Sequence, residues 1–147
     1  MSRERRPPRT LGPLHQPFWD ACARGEFHLP RCTGCGRWSW PPAPTCDQCN
    51  ASLAWRPASG RGRLFSHCTF HQDYYGGLLP LPWEVILVEL EEGVLFVANP
   101  LGFRPAEVPL GYPLAVRFLD CEDEHGPFRL PVFAPLTAHR QTTEDAP

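Results

Sequence analysis

No stretch of this sequence is apolar enough to cross a bilayer. The longest aliphatic run is Val85-Ile86-Leu87-Val88, whereas a spanning helix needs ~20 apolar residues. The Arg-rich start lacks the apolar segment that follows the basic end of a secretory signal, so the expected location is cytoplasmic. Lysine is absent and arginine supplies all 14 basic side chains, an absence that by itself excludes no function. No Gly-X-Y period is present, which rules out collagen. Long helices are not expected among 19 prolines in 147 residues, because each interior proline removes a backbone donor and clashes with the preceding turn. What is there suits a globular chain of one domain or two small units. The hydrophobic fraction is 42%, with 5 Trp, 3 Tyr and 9 Phe, enough for a core built from short strands and ordered loops.

Four of the 7 cysteines carry a pattern: Cys32-Thr33-Gly34-Cys35, ten intervening residues, then Cys46-Asp47-Gln48-Cys49. Two residues between thiolates let a tight turn aim both sulfurs at one point, and two such knuckles supply the four ligands of a closed structural zinc site. Gly34 and Gly36 give the first knuckle its backbone freedom. The spacing suits a zinc ribbon, with Trp38-Ser39-Trp40 leading out of the first knuckle and Pro41-Pro42 turning the chain back. Two disulfides are disfavoured without a secretory signal. A redox Cys-x-x-Cys would not need a second copy. Such a zinc ion, with no open coordination position, contributes to folding rather than to chemistry. Cys22, Cys68 and Cys121 share no motif and read as small buried hydrophobes. If His67-Cys68-Thr69-Phe70-His71 is a strand, its histidines share a face and Cys68 points away from them.

Charge divides the chain. Residues 1–63 hold ten Arg against four acids, and residues 64–147 hold four Arg against twelve acids. Residues 1–13 are Arg/Pro-rich without apolar period and are expected to be a mobile tail. Residues 17–24 read as a short helix ended by Gly25, whose Phe18 and Trp19 need cover from the chain's own ribbon or from a partner. Beyond the Gly60-Arg61-Gly62-Arg63 junction, strands are expected over 63–71, 83–90, 94–98, 114–118 and 128–133. Glu91-Glu92-Gly93 marks a hairpin turn, and Pro131 confines the last strand to an edge or bulge. The run Asp120-Cys121-Glu122-Asp123-Glu124-His125 reads as a charged connecting loop. Five short strands of this kind fit a Greek-key barrel of the OB type.

Taken together, Pro17-Phe18-Trp19, Arg31-Cys32-x2-Cys35-Gly36, Pro41-Pro42, Cys46-x2-Cys49, Trp55, Gly60-x-Gly62, Val88-Glu89-Leu90, Glu92-Gly93, Gly111 and Pro131-x-Phe133 resemble a known family. It is the zinc-ribbon plus OB-fold acyl-CoA-associated family, long catalogued as a domain of unknown function, and the resemblance covers residues 14–136. The chain departs from the family pattern at Ala43 and Asp47, where Arg and Pro are common. The resemblance implies a mainly β fold: a short N-terminal helix and rubredoxin-like zinc ribbon over 14–59, then a five-stranded OB-fold barrel over 60–136, with disordered tails at 1–13 and 137–147. It also implies a non-catalytic accessory subunit that binds a thiolase-superfamily enzyme. That partner is a thiolase, a synthase, a lipid-transfer-protein-like steroid side-chain aldolase, or a hydratase, and the subunit helps enclose its acyl-CoA thioester.

The residues themselves favour a binder over an enzyme, since no nucleophile with a base, no paired carboxylates and no phosphate-cradling Gly-rich loop can be found. Arg61 and Arg63, flanked by glycines, are candidates for CoA phosphates because Arg offers a planar multi-donor fork; a solvated surface turn is the plainer reading. Phe18, Trp19, Trp38 and Trp40 are candidate partner contacts. Single-stranded nucleic-acid binding is the alternative, as OB barrels and zinc ribbons both host it. It needs a continuous basic groove, which an acidic barrel half disfavours. An independent hydrolase or thiol enzyme is the least favoured reading.

Overall fold

The computed structural model describes residues 3–136. In chain order its elements are strand β1 (Glu4–Arg5), helix α1 (Gln16–Ala23), strands β2 (His28–Cys32) and β3 (Leu53–Pro57), then strands β4 (Arg61–Phe70), β5 (Trp83–Leu90), β6 (Leu95–Ala98), β7 (Pro113–Asp123) and β8 (Gly126–Pro135). The fold is mainly β, a zinc ribbon followed by an OB-type barrel.

Helix α1 is short because Pro17 opens it in the first turn, where a missing N–H costs nothing, and Gly25 follows it with φ 75°. It buries Phe18, Ala21 and Cys22. The chain then enters an antiparallel ribbon in which β2 pairs with β3 from His28 opposite Pro57 to Cys32 opposite Leu53. Both cysteine knuckles lie at one end of this ribbon.

The barrel strands run in the order β7-β4-β5-β6, with β8 pairing along the other edge of β7. Contacts of β8 with the chain just after β6 draw the ends together: the amide of Phe133 donates to the Asn99 carbonyl and that of Leu101 to the Phe133 carbonyl. Gly62 permits the close approach of β4 to β5. A Cβ there would stand 2.5 Å from the Glu89 carbonyl oxygen. The turn through Glu91-Glu92-Gly93 closes as the spacing anticipates, with Gly93 at φ 89° and its amide on the Leu90 carbonyl. Strands β7 and β8 are longer than the alternation suggested. Their hairpin turns only between Asp123 and Gly126, so most of the acidic run is strand rather than loop.

One apolar core unites ribbon and barrel. Phe18, Cys22, Phe27 and Leu29 from the N-terminal half join Leu64, Ile86, Val88, Phe96, Leu114 and Phe133 of the barrel. The seam is aromatic: the Phe18 ring lies 4.7 Å from Trp40 and 6.1 Å from Phe96, and Phe27 lies 5.3 Å from Phe96. Phe18 is 3% exposed. Its cover is the chain's own ribbon and barrel, which corrects the expectation that Phe18 offers contact surface.

The N-terminal segment also differs from expectation. Within residues 3–13, β1 pairs in parallel with β7, Glu4 opposite Cys121 and Arg5 opposite Glu122. Beyond it Arg6 and Arg9 are anchored by polar contacts to the barrel. Composition suggested mobility because the segment has few apolar residues; what holds it is charge and backbone pairing. The expected tail over 137–147 lies outside the described residues. Among the scattered cysteines, Cys22 and Cys121 are buried as anticipated, but Cys68 is exposed. It lies on the open end of β4, beyond the part that the core covers.

Candidate functional site

The four knuckle cysteines converge as the spacing requires. Their sulfurs all lie within 4.8 Å of one another. The Cys32 and Cys49 sulfurs are 3.3 Å apart and those of Cys35 and Cys46 are 3.7 Å apart. Thiolates bound tetrahedrally at ~2.3 Å from zinc stand about 3.8 Å from each other, so the donor set and its spacing fit the ion. Backbone amides point at two of the sulfurs. The amides of Gly34 and Cys35 both donate to Cys32 Sγ at 3.3 Å, and that of Gln48 donates to Cys46 Sγ at 3.4 Å. The Cys35 amide above all, with the Cys49 thiol and the Gly34 amide, pulls the Cys32 pKa down to about 6. Cysteine is the only ligand type in the cluster and the coordination is closed, so this is a structural zinc centre. Gly34 is held tightly within it, with the Cys49 sulfur 3.3 Å from where its Cβ would be.

Two of the other thiols, Cys22 and Cys121, are buried. Desolvation raises Cys22 to about 12 and also raises Cys121. Buried thiols so shifted remain protonated and inert.

A second feature lies on the barrel side of α1. An open groove of about 690 Å³ runs between the N-terminal segment and the loop that joins β4 to β5. Aromatic rings line it: Trp19, Phe70, Tyr74, Tyr75, Trp83 and Phe128. Residues 6–9, Arg-Pro-Pro-Arg, form one wall as a strap. The Arg6 guanidinium stacks over Trp83 at 4.9 Å, and that of Arg9 over Phe128 at 4.3 Å. The strap is tied to the hairpin end by Arg9, whose Nε donates to Asp123 Oδ2 at 2.8 Å while its backbone amide donates to the same oxygen at 3.0 Å. Burial works to raise the Asp123 pKa, but these Arg9 hydrogen bonds and the His125 amide outweigh it and hold the carboxyl at about 2.

The structure distributes the candidate residues unequally. Cys32, Cys35, Cys46 and Cys49 come together. Trp19 is half-buried: its ring packs on Phe128 at 5.5 Å and its Nε1 donates to the Thr10 carbonyl at 3.0 Å. Trp40 fills the seam, and Trp38 lies 5.0 Å beneath the Arg31 guanidinium. Arg61 and Arg63 stand apart from the groove, on the β4–β5 face. Arg63 Nε meets Glu89 at 2.6 Å and Arg61 Nε meets Glu91 at 3.7 Å. A phosphate there would have to displace those carboxylates. The aromatic groove itself was missed at the level of sequence, although Tyr74-Tyr75 before Gly76-Gly77 was an available signal, a ring pair in a loop where nothing apolar was required.

Comparison with known proteins agrees with this architecture. Residues 19–56 match the family profile described as the ChsH2 rubredoxin-like zinc ribbon domain, and residues 55–119 match that of the ChsH2 C-terminal OB-fold domain. A probable enoyl-CoA hydratase alpha subunit of Thermomonospora curvata is 30% identical over 85% of this chain and 39% of its own length. The 3-oxo-4,17-pregnadiene-20-carboxyl-CoA hydratase alpha subunit of Mycobacterium tuberculosis is 33% identical over 72% of this chain and 34% of its own. The chain thus spans only a third to two fifths of these two curated relatives. A DUF35 domain-containing scaffold protein of Methanocaldococcus jannaschii is 23% identical over 60% of the chain. Among solved structures, a chain of an Ltp2-ChsH2(DUF35) aldolase superposes with a TM-score of 0.75 at 27% identity, covering 87% of this chain and 98% of that one. No helix among the described residues is long and apolar enough to cross a membrane.

Proposed function

Because the chain belongs to the ChsH2/DUF35 family of zinc-ribbon and OB-fold proteins, we propose that it is a non-catalytic accessory subunit that binds a thiolase-superfamily enzyme and helps enclose an acyl-CoA thioester. The observation that carries this is the superposition on the aldolase chain, which takes in 98% of that chain and 87% of this one. The match is to that chain as a whole rather than to a motif within it. Two relatives carry the name of hydratase alpha subunits, which supports a thioester of CoA as the shared chemistry.

The residues support the same reading. The metal centre is closed, two of the buried thiols are held protonated, and the arginines at the ribbon–barrel junction are neutralised by Glu89 and Glu91. Such a chain supplies shape and apolar contact while its partner supplies the reacting groups. Trp38 and the outer face of Trp19 are the aromatic surfaces offered to that partner. Phe18 acts behind them by fixing α1 against the barrel.

Co-expression with a thiolase-superfamily protein of the same genome tests the proposal. The expected result is stoichiometric co-elution and acyl-CoA turnover by the pair but not by the zinc-loaded chain alone. Turnover by the isolated chain, or failure to associate with every thiolase-superfamily member tried, would overturn it.

A further inference from the structure

The strap displays the chemistry that its groove accepts. Each of its two arginines is held by an aromatic face and a carboxylate: Arg6 lies over Trp83 at 4.9 Å and meets Glu4 at 2.9 Å, and Arg9 lies over Phe128 at 4.3 Å and meets Asp123 at 2.8 Å. A guanidinium suits both partners at once, because its plane stacks on a ring while its edge donates to an acid. Between the two arginines, Pro7 and Pro8 line the groove itself.

The facing wall, the loop from β4 to β5, offers the same pair of groups. Asp73 is followed directly by Tyr74 and Tyr75, 63% and 53% exposed, and the Tyr74 ring stands edge-on to Phe70 at 6.2 Å. Asp73 orders its loop by accepting the amides of Tyr75 at 3.0 Å and Gly77 at 2.6 Å, but no cation pairs with it among the described residues. A carboxylate has about four acceptor positions, so two amides leave room for a further donor. Of the charged side chains that line the groove, Arg6 and Arg9 are neutralised by neighbouring acids and Asp73 is not. The unbalanced charge is negative, which disfavours an anionic occupant and favours a cationic one. Leu79 and Leu81 extend this wall with apolar surface.

An open trough with these walls fits an extended chain. Proline rings pack against aromatic side chains, and a polyproline II backbone is stiff before binding and carries carbonyls without internal partners. Donors for such carbonyls stand at the rim. The Tyr74 hydroxyl donates to Gln72 Oε1 at 3.4 Å, which leaves the Gln72 amide nitrogen and the Tyr75 hydroxyl to face an incoming backbone.

We propose that the groove docks a proline-rich segment of another protein, extended as a polyproline II helix and bearing an arginine that seats against Asp73 and Tyr74. Two Arg/Pro segments, the strap and the docked one, then flank the same rings. The inference goes beyond the accessory role and does not depend on it.

The full zinc-loaded chain is titrated by fluorescence anisotropy with the labelled peptide Arg-Pro-Pro-Leu-Pro-Pro-Leu-Pro. Its counterparts carry Gln or Glu in place of the arginine, and a fourth peptide keeps the arginine on a Gly/Ser chain of equal length. Saturable binding of the Arg peptide is expected with a Kd below ~1 mM, about threefold weaker binding of the Gln peptide, as for an exposed ion pair, still weaker binding of the Glu peptide, and none of the Gly/Ser peptide. Tyr75→Ala and Leu81→Ala, both at exposed positions, should each weaken the Arg peptide by about fivefold or more with unfolding midpoints unchanged. Asp73→Asn should erase the preference for Arg over Gln, and raised salt should narrow that preference in the parent. The proposal falls if the Arg peptide does not saturate, if the Glu or Gly/Ser peptide binds as tightly, if both alanine variants bind as the parent does, or if the preference survives both Asp73→Asn and salt. Sedimentation of the chain alone covers the other occupant. Dimers that Tyr75→Ala dissolves and that the Arg peptide does not displace would assign the groove to a second copy of this chain and overturn the proposal.

Discussion

The ribbon and the barrel share a core yet are held together by different means. Between Thr33 and Ser52, much of the ribbon is exposed, and the four sulfurs are what bring its two knuckles to one point. The barrel closes over Leu64, Ile86, Val88, Leu114 and Phe133, each no more than 1% exposed. A loop-rich segment of this length cannot bury enough apolar area to order itself, so the metal replaces a core there. Four cysteines suffice to shape the knuckles, whereas the barrel needs alternation kept over five strands.

Removing zinc tests this contrast most severely. Structural zinc contributes about 10–16 kcal/mol of apparent binding energy in isolated finger peptides. Cys32→Ser or Cys49→Ser should abolish stoichiometric zinc and lose the near-ultraviolet signal of Trp38 and Trp40, while the amides of β4 to β8 stay protected from exchange. Recovery of the full tryptophan signal in metal-free protein would show that the ribbon does not depend on its thiolates.

The seam comes next. Phe18→Ala should destabilise the chain by about 3–5 kcal/mol in chemical denaturation, the range for emptying a buried aromatic site. It should act on ribbon and barrel together because Phe18 touches Trp40 and Phe96 alike. A loss confined to one of the two regions would mean that they do not share a core in practice.

The strap is a smaller, electrostatic joint. Asp123 has a folded pKa depressed to about 2, below the ~3.9 of an unfolded aspartate. Its contribution is therefore complete above pH ~4 and is lost as the pH falls towards 2. Asp123→Asn should remove that acid dependence and cost about 1–3 kcal/mol at neutral pH, read from unfolding midpoints across pH. An unchanged acid profile would assign the strap's attachment to β1 alone. The least effect is expected at Arg63, whose pairing with Glu89 is solvent-exposed. Arg63→Ala should move stability by less than ~1 kcal/mol, and a larger loss in the same denaturation measurement would give that surface pair a structural weight that its exposure denies.

Much of this was legible in the sequence because it is local. The spacing of Cys32, Cys35, Cys46 and Cys49 anticipates their convergence, and the apolar run from Trp83 to Leu90 with its Glu91-Glu92-Gly93 turn anticipates a hairpin that forms as read. What escaped depends on partners far along the chain. Arg9 meets Asp123 across 114 residues and Arg6 meets Asn99 across 93, and no composition rule tells an Arg/Pro segment that will be captured from one that will not. Phe18 left two covers open, own chain or partner, since an aromatic residue on a one-sided helix looks the same in both cases. The groove escaped for the same reason: Trp19, Phe70, Trp83 and Phe128 meet only after the barrel has curled.

The short parallel pairing of β1 with β7 has one more consequence. Strand β7 is paired along one edge by β8 throughout, but on its other edge β4 accompanies it only through residues 113–115. Beyond that point the edge would present free backbone donors and acceptors, the template on which a second chain can add. By occupying Cys121 and Glu122, β1 stoppers that template from within the same polypeptide. The Arg-Pro-rich segment thus covers part of that edge, and the two prolines behind it, Pro7 and Pro8, lack the amide hydrogens by which the pairing could be extended.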